Sequence, residues 1–253
     1  MREEFADTAA GLPEPFRLWL RGSCASTNDE ARALGESGAA TGAVVVADVQ
    51  TAGRGRRGAA WFGAPGESLM FSILWRPDEP KPLWPRLALA MGLAVANACE
   101  RFVPITGLKW PNDVWIRGRK VAGILVEAGE DFVVAGVGIN VNTHRFPDGI
   151  ATQATSLACE AGFQPERAAV LASVLERFSN HAGRIGRGFD EIVAAARQRC
   201  VLAGGAVVLR TQTGELLRGQ CDGIGPAGEL RVRHGERVLE ILQADDVRPV
   251  PNG

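Results

Sequence analysis

Apolar positions run along this chain in three rhythms. Up to about residue 142, short apolar runs alternate with polar, glycine-containing turns; from 152 to 200 the spacing becomes helical; after 200 short strands return. Residues 16–20 alternate as a first strand, and residues 1–15 before them are polar and read as a loose lead-in. Thr27 and Glu30 have the spacing of a capping box, so Ser26, Thr27 and Asn28 should open a helix that runs to about Ser37. Residues 43–48 and 68–75 are apolar enough for buried strands, and residues 84–101 place Leu87, Met91, Val95 and Ala98 at helical spacing. A strand at 105–110 follows, then a hairpin of 114–116 and 121–127 around a turn at 117–120, which puts Lys120 at the mouth of a strand. Residues 132–142 form a further strand in which Gly136 and Gly138 mark close approach of backbone or ligand.

The helical stretch is clearest at 166–185 and 189–200. Beyond it, 207–210, 215–219, 229–233 and 237–242 read as short strands between glycine-containing turns, a small barrel of about fifty residues. The pattern therefore divides near 200–204, into residues 1–202 and 203–253. The first part reads as an α+β unit, the second as an all-β module.

Composition narrows the function classes. Of 253 residues 46% are hydrophobic and 23% charged, enough for one sizeable core plus a small second unit. A net charge of −1 gives no global positive field for nucleic acid or anionic membranes, so any basic function must be local. The apolar stretch 87–99 is too short to span a bilayer, and acidic residues stand where a secretory signal would be basic, so a cytoplasmic protein is expected. Cys24, Cys99, Cys159, Cys200 and Cys221 are widely spaced and read as free thiols, and no metal cluster or Ser-His-Asp set is suggested.

The sharpest local signal is Gly53-Arg54-Gly55-Arg56-Arg57-Gly58. Three arginines within four positions repel one another unless something anionic sits among them, while glycine lets backbone approach a ligand and arginine suits carboxylate and phosphate. The glycines spell Gly-x-Gly-x-x-Gly, but Trp61-Phe62-Gly63-Ala64-Pro65 cannot continue as the helix a dinucleotide site needs, and no Gly-Lys-Ser/Thr ending makes it a phosphate loop. Such a loop is predicted to be mobile until an anion arrives. At Ser26, Thr27 and Asn28, hydroxyls, an amide and orphan N–H groups at a helix start suit a polar ligand head.

Four blocks together resemble biotin protein ligases: residues 53–58, Lys109-Trp110-Pro111-Asn112-Asp113, Arg119-Lys120-Val121-Ala122-Gly123-Ile124-Leu125-Val126-Glu127, and Gly136-Val137-Gly138-Ile139-Asn140-Val141-Asn142. The resemblance implies an α+β catalytic domain, a mixed β-sheet backed by helices of class II synthetase-like type, followed by a small SH3-like β-barrel. It also implies a two-step reaction in which biotin and ATP give biotinyl-5′-AMP, which then acylates a lysine of a biotin carboxyl carrier domain. Because the substrate carboxylate is the nucleophile, the absence of a triad is expected.

Carried over residue by residue, the resemblance gives Lys120 and Arg56 the catalytic charges. Ser26, Thr27, Asn28, Gln50, Arg54, Gly55 and Gly123 join them around biotin; Arg54, Arg56, Arg57, Trp61, Asn112, Asp113 and Asn140 serve ATP and the adenylate. Asp113 is the candidate ligand for the Mg²⁺ that accompanies ATP. About fifteen residues precede the first strand, so a ligase without an N-terminal DNA-binding domain is expected. Two rivals are lipoate or octanoate transfer on the same fold, which lacks the Gly-Arg-Gly-Arg-Arg-Gly loop, and a catalytically idle biotin sensor.

Overall fold

The computed structural model describes residues 2–250 with Gln212 excepted. Seven strands form one sheet: β1 (Arg17–Cys24), β2 (Ala43–Gln50), β3 (Ser68–Trp75), β4 (Thr106–Lys109), β5 (Asp113–Ile116), β6 (Arg119–Ala128) and β7 (Val133–Asn140), in the order β1-β2-β3-β7-β6-β5-β4. Only β1 and β2 are parallel. A parallel pair needs a crossover, and α2 (Thr27–Glu36) supplies it.

The central strands are buried on both faces, which is why they read as continuous apolar runs. Val44 and Val46 of β2 enter the main core with α3 (Arg86–Cys99) and α5 (Arg167–Ala182), while Ala43 and Val45 point to the opposite face, beneath Ala31 and Leu34 of α2. The sheet is thus a middle layer between α2 on one side and α3 with α5 on the other. Helix α4 (Leu157–Ala161) follows β7, and α6 (Phe189–Gln198) leads to the second sheet.

That sheet is antiparallel, with β8 (Ala206–Arg210), β9 (Leu216–Ile224), β10 (Leu230–His234), β11 (Arg237–Ile241) and β12 (Asp246–Pro249) in the order β11-β10-β9-β8-β12. It is bound to the first unit by Arg197 Nε donating to Ile224 O at 2.7 Å and Trp110 Nε1 donating to Gly228 O at 2.9 Å. Its fifth strand, β12, was not expected from the sequence. One apolar residue, Val247, among charged neighbours and Pro249 carries no period; β12 exists because β8 offers it an edge.

The lead-in is also not loose. Residues Arg2–Gly11 form α1, and Phe5 is fully buried. Arg167, 6% exposed, donates from Nε to Glu4 at 2.8 Å and from Nη1 to Asp48 at 2.8 Å, tying α1 to α5 and β2. One buried ring and one carboxylate hold this helix, a tertiary tie that no local pattern displays. Cys99, fully buried, has its thiol pushed up to about 12, and all five cysteines are free. Among the described residues no helix is long and apolar enough to cross a membrane.

The docking of α1 yields a stability prediction. Phe5→Ala should lower the unfolding free energy by about 3–5 kcal/mol, read as a shift in the urea midpoint. A shift no larger than that of a solvent-facing substitution in α1 would show that the helix is not anchored through its ring.

Candidate active site

The cleft begins at the start of α2. Ser26 has extended backbone and caps the helix, its Oγ accepting from Asn28 N at 3.3 Å. The capping box expected between Thr27 and Glu30 does not form: the cap is one residue earlier, and Glu30 pairs with Arg21 at 3.1 Å. Thr27 is thereby freed for the cleft, where its N–H and Oγ1 both donate to Gln50 Oε1 at 2.7 and 3.1 Å. Ser72 Oγ lies 2.7 Å from Thr27 Oγ1 and 2.6 Å from Asn28 Oδ1. Asn28 Nδ2 donates to Glu127 at 2.6 Å, so the Asn28 amide is committed at both ends. Among the described residues Gln50 Nε2 meets Met70 Sδ, at 3.4 Å, and is a donor in this cluster available to a polar ligand.

The arginine loop folds over this end as a tight lid. Gly55 N donates to Ala59 O at 2.6 Å and Trp61 N to Gly53 O at 3.0 Å; the turn between them needs left-handed backbone at Arg57 (φ 59°) and Gly58 (φ 72°). No helix follows, so a dinucleotide fingerprint is excluded. Each guanidinium has a partner from elsewhere in the chain. Arg54 forks onto Asp29 at 2.7 and 3.0 Å and reaches Glu127 at 3.2 Å; donating to Asp29 raises its affinity for the proton, and Arg54 in turn holds the Asp29 carboxyl below its usual range. Arg56 donates to Ala244 O at 2.7 Å, and burial pulls its pKa down. Arg57 pairs with Asp245. The repulsion that predicted a mobile loop is thus met by the protein's own acids and carbonyls.

Lys120 enters from the second position of β6. Its Nζ is 2.6 Å from Asp113 Oδ1 and 5.5 Å from the centre of the Trp61 ring. Lys109, 9% exposed, faces the same carboxylate at 3.9 Å and lies 5.1 Å from the Trp115 ring; burial lowers its pKa. Asp113, expected from the sequence as a magnesium ligand, is a counter-ion for both lysines in this structure. Among the described residues no group of three or more His, Cys, Asp or Glu is placed to hold a metal. Asn112 is half engaged in structure, with Nδ2 donating to Ile124 O at 2.6 Å and Oδ1 3.5 Å from Arg56.

The floor is glycine. A Cβ on Gly136 would lie 2.0 Å from Asn28 Oδ1, and one on Gly138 would lie 2.3 Å from the Trp61 indole, which also covers Gly123. Trp61 Nε1 is buried with no partner. The resulting cleft, about 270 Å³, is lined by Ser26, Thr27, Asn28, Gln50, Arg54, Gly55, Arg56, Trp61, Asn112, Asp113, Lys120 and Gly123, all singled out in the sequence. Arg57 is turned to Asp245, and Asn140 stands outside the wall, its Nδ2 donating to Thr155 O at 3.0 Å. Five contributors were missed: Ser72, Glu127, Lys109, and the acids Asp245 and Asp246 of the second sheet. Glu127 and Lys109 belong to the distinctive blocks and were legible as neighbours; Ala244 meets Arg56 across 188 positions of chain, for which no local signal exists.

Comparison with known proteins follows this geometry. The biotin/lipoate A/B protein ligase family matches residues 23–143. A biotin--[acetyl-CoA-carboxylase] ligase of Mycobacterium tuberculosis is 35% identical over 88% of this chain and 85% of its own. The bifunctional ligase/repressor BirA of Bacillus subtilis is 37% identical over 87% of this chain and 70% of its own. The biotin protein ligase of Aquifex aeolicus, solved in complex with biotin and ATP, superposes with a TM-score of 0.83 at 33% identity, covering 92% of this chain and 99% of that one. An arginine lid, a lysine on β6 and a glycine floor thus stand on a fold shared along most of the chain with such enzymes, and the chain belongs to the biotin protein ligase family.

Proposed function

We propose that this chain joins biotin to a lysine of a biotin carboxyl carrier domain through biotinyl-5′-AMP, using the cleft beneath the arginine lid. In the first step a biotin carboxylate oxygen attacks the α-phosphorus of Mg-ATP, the bond to the β-phosphate oxygen breaks, and pyrophosphate leaves. In the second, the neutral amine of the carrier lysine attacks the acyl carbon; an amide forms, AMP departs and the amine proton goes to solvent. Neither step needs a protein nucleophile; both need fixed positive charge where oxygen anions gather.

The observation that carries this reading is the convergence of Lys120, Arg56 and the polar start of α2 on one cleft. Lys120, now paired with Asp113, would exchange that carboxylate for the biotin carboxylate and α-phosphate. Arg56 adds charge from the lid, and Arg57 would leave Asp245 for phosphate oxygens. Thr27, Gln50 and Ser26 offer donors and acceptors that suit a ureido ring, and Gly123 lets it approach the strand. Arg54 and Gly55 close the lid, with Arg54 locked to Asp29 and Glu127. Trp61 brings an unpaired indole N–H and a ring that can stack on the base. Magnesium enters with ATP as part of the substrate, and Asn112 and Asp113 are the residues whose oxygens would suit it. Asn140, assigned from the sequence to the base or ribose, donates its amide to Thr155 O in this structure.

Two outcomes test this. Lys120→Gln should lower adenylate formation by about 10²–10³-fold with thermal stability almost unchanged, because the Lys120 side chain is a third exposed and Asp113 keeps Lys109 as a partner; pyrophosphate release at the wild-type rate would sink the role of Lys120. Mass spectrometry after incubation with Mg-ATP and biotin, lipoate or octanoate should find an adenylate of biotin alone.

The lid gives a third. Asp29→Asn should speed tryptic cleavage after Arg54, Arg56 and Arg57 at neutral pH, and biotin with Mg-ATP should restore protection. The Asp29 carboxyl is held below its ordinary value of 3.8, so in the parent the lock is intact at every pH above that value and weakens only as pH falls through the depressed pKa. Equal cleavage of parent and variant would show that Arg54 does not hold the lid.

A further inference from the structure

Lys120 is fixed by its main chain as well as by its strand, and the fixing has a single centre. Lys120 N donates to Gln153 O at 2.7 Å, and Thr155 N donates to Lys120 O at 2.9 Å. Residues 153–155 belong to no strand; they meet Lys120 only as an isolated parallel bridge at Ala154. Two side chains hold this segment in place. Asn140 donates to Thr155 O at 3.0 Å, and Thr155 Oγ1 donates to Glu160 Oε1 at 2.7 Å.

The same carboxylate also grips the hairpin on the other side. Arg119, the residue immediately before Lys120, donates to Glu160 Oε1 at 2.6 Å, and Arg117 donates to Oε2 at 3.0 Å. Arg117 occupies left-handed backbone, φ 48°, at the tip of the β5–β6 turn, a conformation that a non-glycine residue keeps only when its surroundings hold it. The Glu160 side chain is 2% exposed, so its charge is almost fully desolvated and is matched by three donors. Removing any one leaves a buried carboxylate short of partners.

We infer that Glu160 is a positioning residue for Lys120: by joining Arg119 and Thr155 it fixes the strand edge from which the lysine projects into the cleft. Glu160 is not among the residues lining the cleft and acts only through these neighbours. The inference rests on the role proposed above for Lys120. It gives a purpose to a buried acid outside the site, and it explains why the segment after β7 returns to pair with β6 at this residue.

The test is the split between kcat and KM of the adenylation step, read by pyrophosphate release. Glu160→Gln keeps the shape and loses the charge; kcat should fall about tenfold with KM for biotin and ATP within about twofold, as expected when a charge is misplaced after substrate has bound. Thr155→Val leaves both arginine pairs and removes one hydrogen bond; it should lower kcat severalfold, again with KM unchanged, and it carries the test alone if Glu160→Gln does not fold. Wild-type kcat per folded active site in the Thr155→Val protein, or a rise in KM with kcat intact in either variant, overturns the inference. Lys120→Gln separates the two claims: if it turns over normally, the reading of Lys120 fails whatever Glu160 does. If it is inactive while both positioning variants are normal, only the role of Glu160 falls.

Discussion

Positive charge crowded into one cleft repels itself unless it is paired, and the pairing shapes this molecule. Arg54, Arg56, Arg57, Lys109 and Lys120 come from three separate stretches of chain, and each is met by an acid or carbonyl from another element: Asp29 with Glu127, Ala244, Asp245 and Asp113. The pairing removes mutual repulsion and fixes the cations about the cleft. Under the function proposed above, an incoming carboxylate or phosphate would exchange one anion for another, so that binding trades internal ion pairs for external ones and its net strength is a difference between the two.

The sheet makes the exchange possible by withholding side chains. Gly136 and Gly138 on β7 and Gly123 on β6 leave a strip of bare backbone where β6 and β7 pair, and the space is taken by the Asn28 amide and the Trp61 indole. Glycine within strands weakens them, but β7 is central and buried throughout, so neighbouring strands absorb that cost. The large residues on the same strands, Val137 and Ile139 among them, enter the core between sheet and helices. Site and core therefore use opposite faces or alternate positions of the same elements, and the rigidity of one is inherited by the other.

Much of this was readable from the residues because period and burial coincide. β3 was expected at 68–75 and is found there, since a strand buried on both faces announces itself as an unbroken apolar run. α2, α3, the β5–β6 hairpin and the helix at α5 were recovered within a few residues at their ends. Elements held by a single distant partner were not legible: α1 by Phe5 and Arg167, β12 by its pairing with β8. The site shows the same divide. Residues in short distinctive blocks could be named, whereas Asp245, Asp246 and Ser72 carry no local mark, and the commitments of Asn28, Asp113 and Asn140 to protein partners emerge only from geometry.

The second sheet is consequently more than an appendage. Arg197 and Trp110 bolt it to α6 and to the start of the Pro111-Asn112-Asp113 turn, and from that seat the connection between β11 and β12 reaches the lid. Ala244 O receives Arg56, and Asp245, Asp246 and Val247 complete the cleft wall opposite the glycine floor. Trp110 is the hinge of this arrangement: its indole fixes the small sheet, while two and three residues later Asn112 and Asp113 face Arg56 and Lys120. Any shift of the small sheet would be felt at once by the lid and by the counter-ion of the lysine, so the two sheets share one electrostatic site.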